Sequence, residues 1–170
     1  MSASGLYLIG AAMLTAACGS SAASPLPAGR NPSAISRMVC STEARAKLDA
    51  ALSSSASSVT VPLWVDHLYS CTFQFPGGPL RLSVKELSSA PETSAYFDSL
   101  ATRLGRRQTL YGLGQGAFVT SDGSVVARKD YKVLLVDTSA YGGDKRAPTS
   151  GSANPAEVVA STVMTCWAGD

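Results

Sequence analysis

The feature that most constrains the fold is the stretch from Val61 to Leu87, which reads VPLWVDHLYSCTFQF, then PGG, then PLRLSVKEL. Val61, Leu63, Val65, His67, Tyr69, Cys71, Phe73 and Phe75 fall on one side of a period of two. Asp66, Ser70, Thr72 and Gln74 fall on the other, with Trp64 and Leu68 as exceptions. Alternate side chains of a strand point to opposite faces, so this pattern predicts one strand with a buried face and a mostly wet face. Pro62 has no N–H to donate to a ladder and marks a strand entry or an edge. Pro76-Gly77-Gly78-Pro79 supplies the turn, because glycine accepts positive φ and proline presets its own. The return arm places Leu80, Leu82 and Val84 opposite Arg81, Ser83 and Lys85 in the alternation. Two strands alone are marginal in water, so the rest of the chain must bring more strands and a cover.

Flanking signals supply both. Ser41 or Thr42 can cap a helix with Glu43 in its first turn, and Ala44, Leu48, Ala51 and Leu52 form its apolar stripe. Ser89-Ala90-Pro91-Glu92 is a capping-box start with proline in the first turn. Tyr96, Phe97, Leu100, Ala101 and Leu104 form the face of that second helix, and Gly105 stops it. Strands are expected at Phe118–Thr120, Val125–Lys129 and Tyr131–Asp137, with Asp122-Gly123 as the hairpin signal between the first two. Residues 138–153 read as a long polar loop. Asn154-Pro155-Ala156-Glu157 then opens a last helix. The expected fold class is α+β: an antiparallel sheet of about five strands covered by three helices, in the order αββαβββα.

At 170 residues, with 45% hydrophobic and 15% charged residues, the chain is long and apolar enough for one globular domain, assigned here to residues 37–170. A net charge of +2 is too small to imply a nucleic-acid partner. Residues 1–17 hold a short apolar run, Leu6 to Leu14, expected to act as a signal peptide and too short to span a membrane. The run ends in Leu14-Thr15-Ala16-Ala17-Cys18-Gly19, which resembles the lipobox of bacterial lipoproteins. The resemblance implies that Cys18 carries lipid and becomes the mature N-terminus. Residues 18–36 are then the lipidated cysteine and a Ser-, Ala- and Pro-rich flexible tether. The expected location is the extracytoplasmic face of the cell membrane, lipid-anchored.

With Cys18 assigned to lipid, Cys40, Cys71 and Cys166 remain. An oxidising compartment favours one bridge, and three pairings are open. A metal site has little support: no CxxC occurs and His67 is the one histidine. His67 beside Asp66 suggests half of an acid–base pair, but a core histidine on the apolar strand face fits the pattern better. Gly112-Leu113-Gly114-Gln115-Gly116 suggests a phosphate loop, but a glycine turn feeding a strand fits better, since no strand–loop–helix context surrounds it. Arg103, Arg106 and Arg107 read as a solvated helix end, and Arg128, Lys129 and Lys132 as a wet strand face.

Taken together, the lipobox and tether, Cys40 opening the first helix, Cys71 in the first strand and the turn Gly112-Leu113-Gly114-Gln115-Gly116-Ala117 resemble a known group. They are similar to small actinobacterial cell-envelope lipoproteins of unknown function with a PsbP-like α/β/α sandwich, a fold shared with extracellular sensor domains of mycobacterial Ser/Thr kinases. The resemblance covers residues 37–167. It implies a Cys40–Cys71 disulfide, with Cys166 as the alternative partner, and no catalytic, cofactor or metal residues. The expected function is a non-enzymatic, membrane-tethered module. It would bind a small ligand or an envelope protein through the sheet face or the groove beside residues 138–153. The alternative is a structural or assembly accessory of a cell-wall or secretion complex, and an enzyme is the least supported reading.

Overall fold

The structure, a computed structural model, describes residues 26–142 and 154–167. Its helices are α1 (Ala34–Met38), α2 (Thr42–Ala51), α3 (Ala90–Leu104) and α4 (Pro155–Cys166). Its strands are β1 (Ser58–Val59), β2 (Leu63–Val65), β3 (Leu68–Phe75), β4 (Gly78–Glu86), β5 (Arg106–Leu110), β6 (Gly116–Thr120), β7 (Val125–Lys129) and β8 (Lys132–Asp137). The strands form one antiparallel sheet in the order β1-β3-β4-β8-β7-β6-β5, with β2 also on the outer edge of β3. The α+β class is as expected. The counts are not: the described residues form eight strands and four helices rather than about five and three.

The difference has local causes. The arm from Val61 to Phe75 is not one strand. Asp66 and His67 adopt φ of 51° and 57°, the left-handed pair of a two-residue hairpin, and Val65 faces Leu68 across it. That turn inverts the parity, so odd-numbered residues of β2 share a face with even-numbered residues of β3. Val61, Leu63 and Val65, expected to be buried, are therefore 83%, 61% and 61% exposed. Leu68, one of the two exceptions in the alternation, directly follows the turn and pairs with Val65 across it. Downstream, Gly105 (φ 70°) ends α3, and a Cβ there would lie 2.2 Å from Ser121 Oγ. Of the arginines read as a solvated helix end, Arg103 stays exposed in the last turn of α3, while Arg106 and Arg107, also exposed, begin β5.

Helices cover both faces of the sheet. Tyr69, Cys71, Phe73 and Phe75 of β3 and Leu80, Leu82 and Val84 of β4 share one face with Val125, Ala127, Leu134 and Val136. That face is covered by α1, α2 and α4, through Ile35, Leu48, Val159, Ala160 and Val163, and closed by Trp167. The opposite face carries Phe118, Val126 and Val133, covered by Phe97 and Leu100 of α3. The caps are those the sequence proposes. Ser41 accepts from Ala44 N–H at 3.0 Å, Ser89 from Glu92 N–H at 3.3 Å and Asn154 from Ala156 N–H at 2.9 Å.

Residues 26–36, expected as tether, run along the domain. Ala28 N–H donates to the Leu87 carbonyl at 3.0 Å, Trp64 Nε1–H to the Arg30 carbonyl at 3.0 Å, and Ile35 and Ser36 are buried. Cys40 and Cys71 form a disulfide with Cα atoms 5.9 Å apart. It ties the α1–α2 junction to the buried face of β3. Cys166 lies outside that bridge, at the end of α4, where Lys47 Nζ donates to its sulfur at 2.8 Å. Cys18, the expected lipidation site, lies outside the described residues, as do residues 143–153 of the expected long loop.

Two measurements check these points. The bridge closes a separation of 31 residues, so Cys71→Ser should lower the unfolding free energy by about 3.5 kcal/mol. Reduction of the parent should lower the denaturation midpoint similarly, and an unchanged midpoint would contradict the bridge. Replacing Asp66-His67 by Asn-Gly, the pair that best accepts left-handed backbone at both turn positions, should raise stability by about 1 kcal/mol, or Tm by roughly 3 °C. A fall in Tm on calorimetry would contradict the turn.

Candidate functional site

One open feature among the described residues is a groove on the face that α3 covers. The helix lies over β6, β7 and part of β8, leaving the same face of β3 and β4 uncovered. The groove between them holds about 280 Å³. Its sheet side is built from Leu68 of β3, Arg81, Ser83 and Lys85 of β4, and Val133, Leu135 and Asp137 of β8. Its helix side is built from Tyr96, Leu100, Arg103 and Leu104 of α3.

Register explains the floor. Arg81, Ser83 and Lys85 alternate along β4 and face one way, and their cross-strand partners on β8 are Asp137, Leu135 and Val133. Arg81 Nη2 donates to Ser70 Oγ at 3.2 Å, which tilts the guanidinium toward β3. Lys85 Nζ donates to the Asp66 carbonyl and stands 6.0 Å from the Tyr96 ring centroid. The helix wall follows the 3.6-residue period: Tyr96, Leu100 and Arg103 recur on one side of α3, with Phe97 turned to the core. An apolar wall thus meets a floor with cationic ends.

The other sequence candidates resolve structurally. Asp66 and His67 occupy successive positions of an exposed turn rather than a cleft, and the imidazole packs edge-on against Trp64 at 5.6 Å. His67 is thus a turn residue, not a core histidine on a strand face. Gly114 has φ 62°, and a Cβ there would lie 2.5 Å from the Arg128 carbonyl. Gln115 N–H donates to that carbonyl at 2.8 Å, and the Gln115 side chain exchanges hydrogen bonds with Asp130. These contacts pin the glycine segment to the β7–β8 turn, so it acts as a packed turn and not an anion cradle.

The basic residues read as a wet strand face are held against the fold: Arg128 and Lys129 are half-buried and Lys132 is buried. Arg128 Nη1 donates to Ser94 Oγ at 2.5 Å, and its guanidinium lies 5.2 Å from Phe97. Arg106, read as part of a solvated helix end, is exposed, and it also stacks on Phe118 at 5.0 Å and Phe97 at 5.6 Å and pairs with Asp98 at 3.5 Å. Lys129 Nζ donates to the Trp167 carbonyl, and Lys132 is 3% exposed opposite Glu86 in the β4–β8 ladder. Glu86 Oε1 accepts from Ser33 N–H at 2.8 Å and from the Ser36 hydroxyl. This is a buried clasp that holds α1 on the sheet. In the β6–β7 turn, burial pushes the Asp122 carboxyl up. Hydrogen bonds from the Thr120 hydroxyl and Ser124 outweigh it and hold the group below its ordinary value of 3.8. A lowered folded pKa adds stability above the unfolded pKa, lost as pH falls through the folded one. Asp122 therefore secures a turn and lies outside the groove.

Among the described residues no group of three His, Cys, Asp or Glu side chains is placed to hold a metal ion. Among them, too, no helix is long and apolar enough to cross a membrane. Comparison with protein families, with curated proteins and with solved structures finds no match to this chain.

The clasp makes a prediction separable from the groove. Glu86→Ala leaves buried donors of Ser33 and Ser36 unpaired and should cost about 2–3 kcal/mol. Amide exchange should accelerate first across residues 33–38. Uniform protection across that segment in the variant would show that Glu86 does not hold α1.

Proposed function

We propose that this chain is an exported envelope module, anchored to the membrane through lipid on Cys18, that binds a ligand without catalysis. The observation that carries the reading is the groove. It is a concave site where apolar side chains from α3 and the sheet surround a few polar groups, the usual make-up of a small-molecule site. The reading treats the lipobox resemblance and the likeness to PsbP-like envelope lipoproteins as part of the proposal. Leu135 is half-buried on the groove floor, so its replacement by tryptophan fills the groove from a rigid strand.

N-phenyl-1-naphthylamine, an uncharged apolar fluorophore, tests the site. With the full chain carrying Cys18→Ser, fluorescence enhancement should saturate. Leu135→Trp should weaken binding at least tenfold while the far-UV spectrum stays unchanged. Equal binding by the two proteins would place the dye elsewhere and remove the groove from the reading. Intact mass of protein from its native membrane tests the anchor, since a chain without diacylglycerol on Cys18 overturns it.

A second reading, an accessory that docks a partner in an envelope assembly, draws on one observation. Val61, Leu63 and Val65 form an exposed apolar row beside the open outer side of β2. Such an edge suits the addition of a strand from a partner. Loss of an envelope complex on Leu63→Glu, with dye binding intact, would favour it.

A further inference from the structure

We propose that the ligand of the α3–sheet groove is a single-tailed amphiphile with an anionic head of the phosphate, sulfate or carboxylate type. This rests on the reading of the groove as a ligand site and specifies its chemistry. Three cations line the groove, Arg81, Lys85 and Arg103, against one carboxylate, Asp137, which leaves a net +2 (3 − 1). The cations come from both sides: Arg81 and Lys85 from the sheet floor, Arg103 from the helix rim. Along β4, Arg81 and Lys85 flank Ser83, a small buried side chain. Asp137 stands across the ladder from Arg81, at the end of the groove away from Lys85. Lys85 is therefore the floor cation farther from that carboxylate.

A guanidinium carries five N–H donors and an ammonium three. Arg81 spends one on Ser70 and Lys85 one on the Asp66 carbonyl, bonds that aim the groups without exhausting them. Cations held by neighbours and left with donors to spare suit an oxyanion. The apolar wall supplies what surface cations lack. Leu100, Leu104 and Leu135 offer a tail a dry surface, and Tyr96 closes the Lys85 end. A space of about 280 Å³ lies just below the usual range of ligand pockets and suits one tail rather than a multi-chain lipid.

Displacement of bound N-phenyl-1-naphthylamine from the full-length Cys18→Ser chain tests the proposal with four competitors: decyl phosphate, decyl maltoside, decyltrimethylammonium and inorganic phosphate. Decyl phosphate should displace the dye at about tenfold lower concentration than its neutral and cationic counterparts. That margin should shrink as salt is raised. The triple variant Arg81→Gln, Lys85→Gln, Arg103→Gln should bind the dye as before and lose the preference for phosphate. Equal displacement by all three decyl compounds, or a preference that survives in the triple variant, overturns the anionic head while the groove stands as a site. Displacement by inorganic phosphate as readily as by decyl phosphate overturns the tail and leaves a free-anion site. If neither the dye nor decyl phosphate, followed directly by calorimetry, binds, the groove reading itself falls and this proposal falls with it.

Discussion

One ladder holds the molecule together. Strands β1–β4 form one half of the sheet, with β1 and β2 both paired to β3, and β5–β8 form a meander; the two halves join in the sheet where β4 pairs with β8. The paired positions run from Arg81–Asp137 to Glu86–Lys132. Both strands are apolar on the face covered by α1, α2 and α4, through Leu82, Val84, Leu134 and Val136. The pairing therefore closes a continuous buried surface that neither half could supply alone. Exposure of unpaired N–H and C=O groups in either strand would be costly at this depth, which gives the contact its weight.

From that ladder follows an asymmetry between the faces. Three helices and the Cys40–Cys71 bridge cover one side. A single helix covers the other, and it sits over β6 and β7 rather than at the centre of the sheet. Aromatic and guanidinium groups pin it there: Phe97 lies between Arg106 and Arg128 and meets Phe118 edge-on at 5.1 Å. With α3 held to one side, the same face of β3 and β4 has no helix over it, and the groove is the space that results. Its position is thus a by-product of stable packing, while its lining of cations against leucines gives it chemical character.

Much of the local structure was legible. The β3–β4 hairpin, the caps of α2, α3 and α4, and the turn at Asp122-Gly123 each rest on residues a few positions apart, whose geometry is nearly context-free. The failures have the same logic inverted. His67 continues a period of two by residue number, yet with Asp66 it forms a turn whose left-handed backbone no alternation pattern reports. Lys132 looks like a solvent residue until its burial opposite Glu86 is seen. The groove residues were read singly as a wet β4 arm, a β8 strand and an α3 stripe. Nothing in their spacing says that they converge.

By itself the amino-acid sequence determined the α+β class, the apolar face of β3 and β4, most helix boundaries and a cysteine set able to form one bridge. All of these follow from periodicity, capping and turn chemistry within short stretches. The Cys40–Cys71 bridge is the pair the family resemblance implied, while tertiary structure alone decided that β4 pairs with β8, that β2 turns its apolar row to solvent and that a cationic groove opens beside α3. Each of those depends on contacts between residues far apart in the chain, where the free energy is set by burial and register across the whole sheet rather than by any local preference.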